Sequence, residues 1–555
     1  MDNEASGYND TASMAYEYPL LLKFLLSSAL ARAPDQEIVY RDTVRMTYRT
    51  MADRVARLAS SLAGLGIGKG DTVGVLDWDS HRYLESYFAI PGIGAALHMV
   101  NIRLSPEQIL YTINHAKDDA LFAHIDFLPV LEEIWDRIEY VKTLVLLTDD
   151  GVAPTTKLRC DAEYEQMLAN ASPSYDFPDL EESTRATIFY TTGTTGNPKG
   201  VFFSHRQLVL HSLSAATMLG TSPEQGRLHR GDVYMPITPM FHVHAWGVPF
   251  VATMLGLKQI YPGRYAPDML LSLIEKEGVT FSHCVPTLLH MILTHPGADK
   301  ADLSKWKVIV GGSPLSAGLA RTALDRGIDV FVGYGMSETA PILTVAQLPA
   351  NGLDAAADDD EHTLTLRTRA GIPVPLVEIR IVDADMNPLP AGHNRAGEIV
   401  VRSPWCTQAY VGNAEASAAL WRGGYLHTGD IGQIHADGYL QITDRTKDVI
   451  KTGGEWISSL EIEDLISQHA GVSEVAVISI ADERWGERPM AIVVPRSGHG
   501  TDWAADLKAH LQIFVDQGAL SQWAIPQSIK FVEAIDKTSV GKFDKKRLRE
   551  RFKIA

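Results

Sequence analysis

The chain has 555 residues, 45% of them hydrophobic and 21% charged, too long for one core and too apolar for disorder, so several packed units are expected. Fifty Lys and Arg against 68 Asp and Glu give a formal charge of −18, which argues against a nucleic-acid or anionic-membrane binder and leaves any anionic ligand to local features. Cys160, Cys284 and Cys406 are isolated, which excludes a paired-cysteine metal site and a disulfide framework and fits the cytoplasm.

Residues 19–32 have the apolar content of a signal sequence, but Lys23 interrupts them and Asp2, Glu4, Asp10 and Glu17 precede them, so they read as an amphipathic helix. Helical periodicity from Thr47 to Leu65, glycines at 64, 66, 68 and 70, and the strand-like Thr72–Leu76 give helix, loop and strand. Helices over His81–Gly94 and Ser105–His115 and strands over Ala120–Ile125 and Thr143–Leu147 continue the alternation. The uncharged stretch Val233–Leu257 is long enough to span a bilayer, yet three prolines, His242 and His244 make it a buried folded segment, and no transmembrane segment is expected. Met269–Glu277 and Ala317–Arg326 read as helices, with strands at Thr280–Cys284, Val308–Val310 and Asp329–Phe331. Such alternation predicts an α/β fold of helix-covered parallel sheets.

After an acidic, alanine-rich stretch, Asn351–His362, expected as an exposed loop, the pattern changes. Val377–Val382, Gly397–Arg402 and Tyr439–Thr443 are short strands with hardly any helix, a β-rich, barrel-like subdomain. The charged run 444–448 precedes a hairpin, Val449–Ile457, with its turn at Gly453-Gly454, and Ser458 with Glu461 predicts a capping box opening a helix over Leu460–Gln468. The predicted organisation is an N-terminal domain over 1–443, with α/β subdomains to about 365, then a hinge at 444–448 and a small mobile α+β domain over 449–555.

The sharpest motif is Tyr190-Thr191-Thr192-Gly193-Thr194-Thr195-Gly196-Asn197-Pro198-Lys199-Gly200, between two apolar strand-like runs. Glycines let backbone N–H groups converge on an anion, four threonine hydroxyls add donors and Lys199 adds charge, which suits a polyphosphate. It is not a Walker A loop, because Pro198 stands where that motif needs Gly. This loop resembles the signature of the adenylate-forming superfamily of acyl-CoA synthetases, luciferases and peptide-synthetase adenylation domains. The resemblance continues in order through Gly311-Gly312-Ser313-Pro314, Gly333-Tyr334-Gly335-Met336-Ser337-Glu338-Thr339, His427-Thr428-Gly429-Asp430, Asp444-Arg445 and Thr538-Ser539-Val540-Gly541-Lys542.

What the resemblance implies is ATP-dependent activation of an acid to an acyl adenylate, then transfer to CoA with release of AMP. Both reactants of the first step are anions, so cations must gather where charge develops, which calls for Mg²⁺, Lys199 and Lys542. The family pattern places Glu338 and Thr191 at the metal, and lines the adenine slot with Gly312, Ser313, Pro314, Val332 and Gly333, with Tyr334 and Gly335 beside them. It puts Ser337 on the α-phosphate and Asp430 and Arg445 on the ribose. Lys447 resembles the hinge about which the C-terminal domain turns, presenting Lys542 for adenylation and then the hairpin with Lys451, Gly453, Gly454 and Trp456 for the pantetheine arm. Asp536-Lys537 departs from the Pro-Lys or Pro-Arg pair common before the lysine loop.

In fatty acyl-CoA synthetases the counterpart of His242 sits near the carboxylate and that of Trp246 gates the acyl tunnel. The four-residue spacing would put both on one face of a helical turn, with Val243, Gly311 and Met336 as further acid contacts. An apolar acid is expected, a medium- or long-chain fatty acid, with a short acid such as 3-methylmercaptopropionate or an aromatic acid as the alternative. Loading of a separate carrier protein and an inactive nucleotide-binding homologue are the competing classes. Related synthetases often dimerise, so a homodimer is a possible partner state.

Overall fold

The computed structural model describes residues 15–191, 197–349, 360–392, 395–452, 455–482, 484–496, 498, 500–518, 520–538 and 541–552. Two large sheets build the N-terminal part. One has nine strands in the order Ile372–Pro373, Ile342–Val345, Asp329–Gly335, Lys307–Val310, Phe281–Cys284, Val233–Ile237, Lys258–Tyr261, Glu37–Tyr40 and Val44–Thr47. It is parallel from Asp329–Gly335 to Glu37–Tyr40, and antiparallel pairs close both ends. The other has seven strands, running from Ala162–Glu163 through Thr143–Leu147, Ala120–His124, Thr72–Leu76 and Ala96–Met99 to Arg185–Thr191 and Lys199–Ser204, of which only the last pairs antiparallel.

The helix His81–Gly92, opened by the Ser80 hydroxyl accepting from the Tyr83 amide, is buried on every face and touches strands of both sheets. An all-round buried helix is what a layer between two sheets requires. One continuous apolar core runs through both sheets. Glu378–Val382, Gly397–Arg402, Leu426–Ile434 and Leu440–Arg445 form a four-stranded antiparallel sheet. Beyond it, the strand Gly486–Pro495 pairs along its length with Val472–Asp482, over Met490–Val493 with Ser528–Phe531, and at Gly486 with Ile450–Thr452 of the hairpin that Glu455–Ile457 completes. This C-terminal part buries two apolar clusters of its own.

Three local expectations change. Of the stretch expected as a loop, 351–359 lie outside the described residues, but Asp360–Thr368 is a helix, tied down by Arg367 on Asp329 at 2.5 Å. A short helix, Ala414–Leu420, interrupts the β-rich part, capped by Asn413 accepting from the Ala416 amide. The Ser458 side chain caps the next helix by accepting from the Glu461 amide, and that helix is Ser459–Ser467.

Close backbone approach fixes Gly335, where an added Cβ would lie 1.7 Å from the Pro341 carbonyl oxygen. Gly335→Ala should cost about 1–3 kcal/mol through overpacking and lower the melting temperature by several degrees. Gly64→Ala, whose Cβ would meet nothing within 4 Å, should leave the melting curve unchanged or slightly raised.

Candidate active site

The phosphate-loop hairpin pairs Thr191 with Lys199, and the Thr191 hydroxyl donates to the Lys199 carbonyl at 3.5 Å. Thr192, Gly193, Thr194, Thr195 and Gly196 lie outside the described residues. The exposed Lys199 ammonium stands 4.7 Å from the centre of the Tyr410 ring, a cation–π contact. The Tyr410 hydroxyl donates to Glu338 Oε1 at 2.7 Å, and the Thr407 amide donates to the Glu338 carbonyl at 2.8 Å. Burial raises the Glu338 carboxyl, opposed by the Tyr410 bond and the charges of Lys199 and Lys542. Sequence reasoning missed Tyr410, whose only signal was an aromatic residue shortly before the Asn413 cap.

The residues expected to line an adenine slot occupy the carboxyl ends of two parallel strands. A Cβ on Gly311 would lie 2.6 Å from the Gly333 carbonyl, and one on Gly333 would lie 2.8 Å from Ile309, so both positions are small because the strand ends touch. Gly312 has φ +79°, with Ser313 half-buried and Pro314 exposed after it. Val332 and Tyr334 are buried, and Met336 and Ser337 are half-buried. The Tyr334 hydroxyl donates to Asp430 Oδ2 at 2.8 Å, and Arg445 Nε donates to Asp430 Oδ1 at 3.1 Å. A carboxylate has about four acceptor sites, so both bonds leave Asp430 able to take a further donor.

Lys542 comes from the C-terminal part. Its turn is closed by the Thr538 amide donating to the Lys542 carbonyl at 2.7 Å and by Gly541 at φ +83°, with 539 and 540 outside the described residues. The Thr287 hydroxyl donates to the Gly541 carbonyl at 2.8 Å, and a Cβ on Gly312 would sit 3.1 Å from Lys542 Cε. His290 Nε2 meets the Ser473 hydroxyl at 3.3 Å, and the Ala317 amide donates to Asp464 at 3.1 Å, joining the same two parts. Burial and then Arg445 push the Lys542 ammonium down to about 8, with Lys447 adding to the effect and Asp430 and Glu338 opposing it. Lys542, Gly312, Tyr334, Glu338, Asp430, Arg445 and Lys447 therefore share one site.

The Lys451 amide donates to Glu487 at 2.8 Å within the C-terminal sheet, Trp456 stands opposite Lys451 in the ladder, and Gly453 and Gly454 lie outside the described residues.

The shared face of His242 and Trp246 is expected only if the segment is helical there, and the segment is left-handed. Val243, His244, Ala245 and Trp246 have φ of +49°, +57°, +46° and +59°, and Gly247 follows at +72°. Reversed handedness changes which side chains share a side: His244 turns fully into the core, its Nε2 meeting the Thr187 hydroxyl at 2.7 Å among Tyr87, Phe189, Phe203 and Phe250. The Trp246 indole lies 5.0 Å from the His283 ring, and its edge would be 3.0 Å from a Cβ on Gly311. His242 is half-buried; burial, then the nearby cations Lys542 and Arg103, push its imidazole down to about 3, so it is neutral at physiological pH.

Comparison with known proteins agrees with this geometry. The AMP-binding enzyme profile matches residues 26–411, and the AMP-binding enzyme C-terminal domain matches 461–542. The chain is 38% identical to a long-chain-fatty-acid–CoA ligase of Thermus thermophilus over 99% of each chain. It is 36% identical to a 3-methylmercaptopropionyl-CoA ligase of Ruegeria pomeroyi over 97% of this chain and 98% of the other. The structure of the anthranilate CoA ligase AuaEII with anthranoyl-AMP superposes with a TM-score of 0.84 at 23% identity, covering 97% of this chain and 98% of that one, and shares the fold. A fatty acyl CoA synthetase of Mycobacterium tuberculosis superposes with a TM-score of 0.68 at 26% identity, covering 96% and 98%. The glycine-tight strand ends beside Lys542 are thus set in a chain that belongs to the AMP-binding enzyme family, and it is an AMP-forming acid–CoA ligase.

Proposed function

We propose that the acid is an apolar one, a medium- or long-chain fatty acid, and that it enters between His242 and Trp246 with its carboxylate toward Lys542. The observation that carries this reading is the indole of Trp246 lying against Gly311, in a segment, 233–257, without a single Asp, Glu, Lys or Arg. Such walls bind alkyl surface and give a charged tail no partner. The name of the Thermus relative supports the longer acids. A short acid such as 3-methylmercaptopropionate is the second reading, favoured by Trp246 resting on His283, which would floor a short pocket, and by the name of the Ruegeria relative.

In the first half-reaction a carboxylate oxygen attacks the α-phosphorus of ATP and pyrophosphate leaves. The Lys542 ammonium is placed to neutralise charge developing between the two anions, and neutral His242 can orient the carboxylate by donating a hydrogen bond. Asp430 and Arg445 hold the ribose and Lys199 the outgoing phosphates. Glu338 and Thr191 fit a Mg²⁺ site: Glu338 is a buried carboxylate with one oxygen bonded only to Tyr410, and among the described residues no cluster of three or more His, Cys, Asp or Glu competes for the ion. A single carboxylate with a hydroxyl leaves the remaining positions to phosphate and water, as Mg²⁺ prefers. When bound, the ion would screen the phosphate charge. The second half-reaction follows rotation about 444–448 near Lys447, bringing Lys451, Gly453, Gly454 and Trp456 to the adenylate so that the CoA thiol can attack it. Cytoplasmic location is supported by the isolated cysteines and by the described residues, which hold no helix long and apolar enough to cross a membrane.

Lys542→Ala should slow adenylate formation by about 10²–10³, measured by acid-dependent pyrophosphate release, while ATP binding and thioester formation from a supplied acyl adenylate persist. Because the ammonium must be protonated to act and titrates near 8, kcat/KM for adenylation should fall as pH rises through about 8. That limb should be missing from the supplied-adenylate reaction. Trp246→Ala should favour longer or bulkier acids severalfold per carbon, since each newly covered methylene contributes about 0.8 kcal/mol, as read from AMP release over a chain-length series.

A further inference from the structure

We propose that Asp79 is a positioning residue for the acid site: its buried carboxylate, together with the Tyr87 hydroxyl, clamps both backbone polar groups of Met240 and thereby fixes the left-handed turn that carries His242 and Trp246. This rests on the reading of that turn as the acyl site.

Asp79 is 4% exposed and follows the strand Thr72–Leu76. Its Oδ1 accepts from the Met240 amide at 2.9 Å, its Oδ2 accepts from the Tyr265 hydroxyl, and its own carbonyl accepts from the Gly263 amide at 2.9 Å. From the buried helix, Tyr87 donates to the Met240 carbonyl at 2.6 Å. Backbone groups usually pair with other backbone groups. Met240 instead has its N–H and its C=O held by side chains from two different elements, and neither side chain belongs to the nucleotide site.

What needs such holding lies just downstream. Four consecutive residues without a glycine sit in the left-handed region, Val243 among them, where a β-branched side chain is most strained. Such backbone persists only when its surroundings over-determine it. At the exit, Gly247 packs against His211, whose Nε2 accepts from the Ile342 amide at 3.1 Å. In the middle, His244 is bonded to Thr187. The Met240 clamp is the corresponding anchor at the entry, before the Pro239 carbonyl accepts from the His242 amide at 2.9 Å. A side chain outside the pocket would thus set the aim of His242 and Trp246. Burial pushes the Asp79 carboxyl up to about 7, opposed by the Tyr265 and Met240 bonds and the charge of Arg103; an amide in its place would keep one acceptor oxygen for the Met240 amide and turn its NH2 toward the Tyr265 oxygen.

The test is CoA-dependent AMP release over acids of increasing length, with KM determined for both acid and ATP in Asp79→Ala, Asp79→Asn, Tyr87→Phe and Trp246→Ala enzymes. Asp79→Ala and Tyr87→Phe should each raise the acid KM by about tenfold, the scale of one buried hydrogen bond, and blunt the length preference. Their ATP KM should stay within about twofold of the parent, since the clamp does not touch the nucleotide site. Asp79→Asn, which keeps an acceptor toward Met240, should restore the parent acid KM and length profile. If Asp79→Ala does not fold, Tyr87→Phe, which keeps the ring, decides. Equal losses for acid and ATP, or an unchanged acid profile in folded Tyr87→Phe enzyme, would overturn the clamp while a shifted profile in Trp246→Ala still upheld the acyl site. An unchanged profile in Trp246→Ala would remove the acyl site and the clamp with it.

Discussion

Two anions have to meet inside a protein whose own charge is −18, and every part of the site answers that repulsion. A few cations gather locally: burial, then the neighbouring Arg445 and Lys447, depress the Lys542 ammonium, while Asp430 and Glu338 hold it partly up. Packing cations against one another costs free energy in the empty site, and an arriving polyphosphate relieves it. Electrostatic destabilisation of the free site is therefore coupled to ligand binding.

In the proposed reaction the lysine is delivered rather than permanently held, and the bonds that seat it are individually modest. Among the described residues, the Thr287 hydroxyl on the Gly541 carbonyl, the His290 imidazole on Ser473, the Asp464 carboxylate on the Ala317 amide and, beside the hinge, the Ser458 hydroxyl on the Thr443 carbonyl are bonds that join the C-terminal part to the rest. Each contributes on the order of 1 kcal/mol net. The C-terminal sheet closes its own two apolar clusters, so releasing these bonds does not open its core. A domain that is internally complete and lightly attached can turn as a body.

Much of this was legible in the sequence because the motifs are local. The strand ends bearing Thr191 and Lys199, the two glycine-bearing strand ends, Asp430 and the Lys542 turn are contiguous stretches, and the structure brings Gly312, Tyr334, Glu338, Asp430 and Lys542 together. Strands and helices at Thr72–Leu76, Thr143–Leu147 and His81–Gly92 were legible from periodicity, since burial enforces it. What was not legible depends on partners far along the chain. Tyr410 finds Glu338 across 72 positions, and no local pattern announces that bond. The turn at 243–246 was misread because its handedness is imposed by tertiary anchors against the preference of every residue in it. The helix Asp360–Thr368 was hidden by an acidic, alanine-rich composition that looks solvated until Arg367 reaches Asp329.

That turn has a thermal consequence. Four left-handed non-glycine residues store on the order of 1–2 kcal/mol each, held in by hydrogen bonds that weaken as the surroundings loosen. The stretch is therefore a fuse: on warming it should relax toward right-handed backbone before the sheets melt, and the indole of Trp246 would swing with it. If the turn is the acyl site, discrimination among acids should then fade on warming before adenylate formation does.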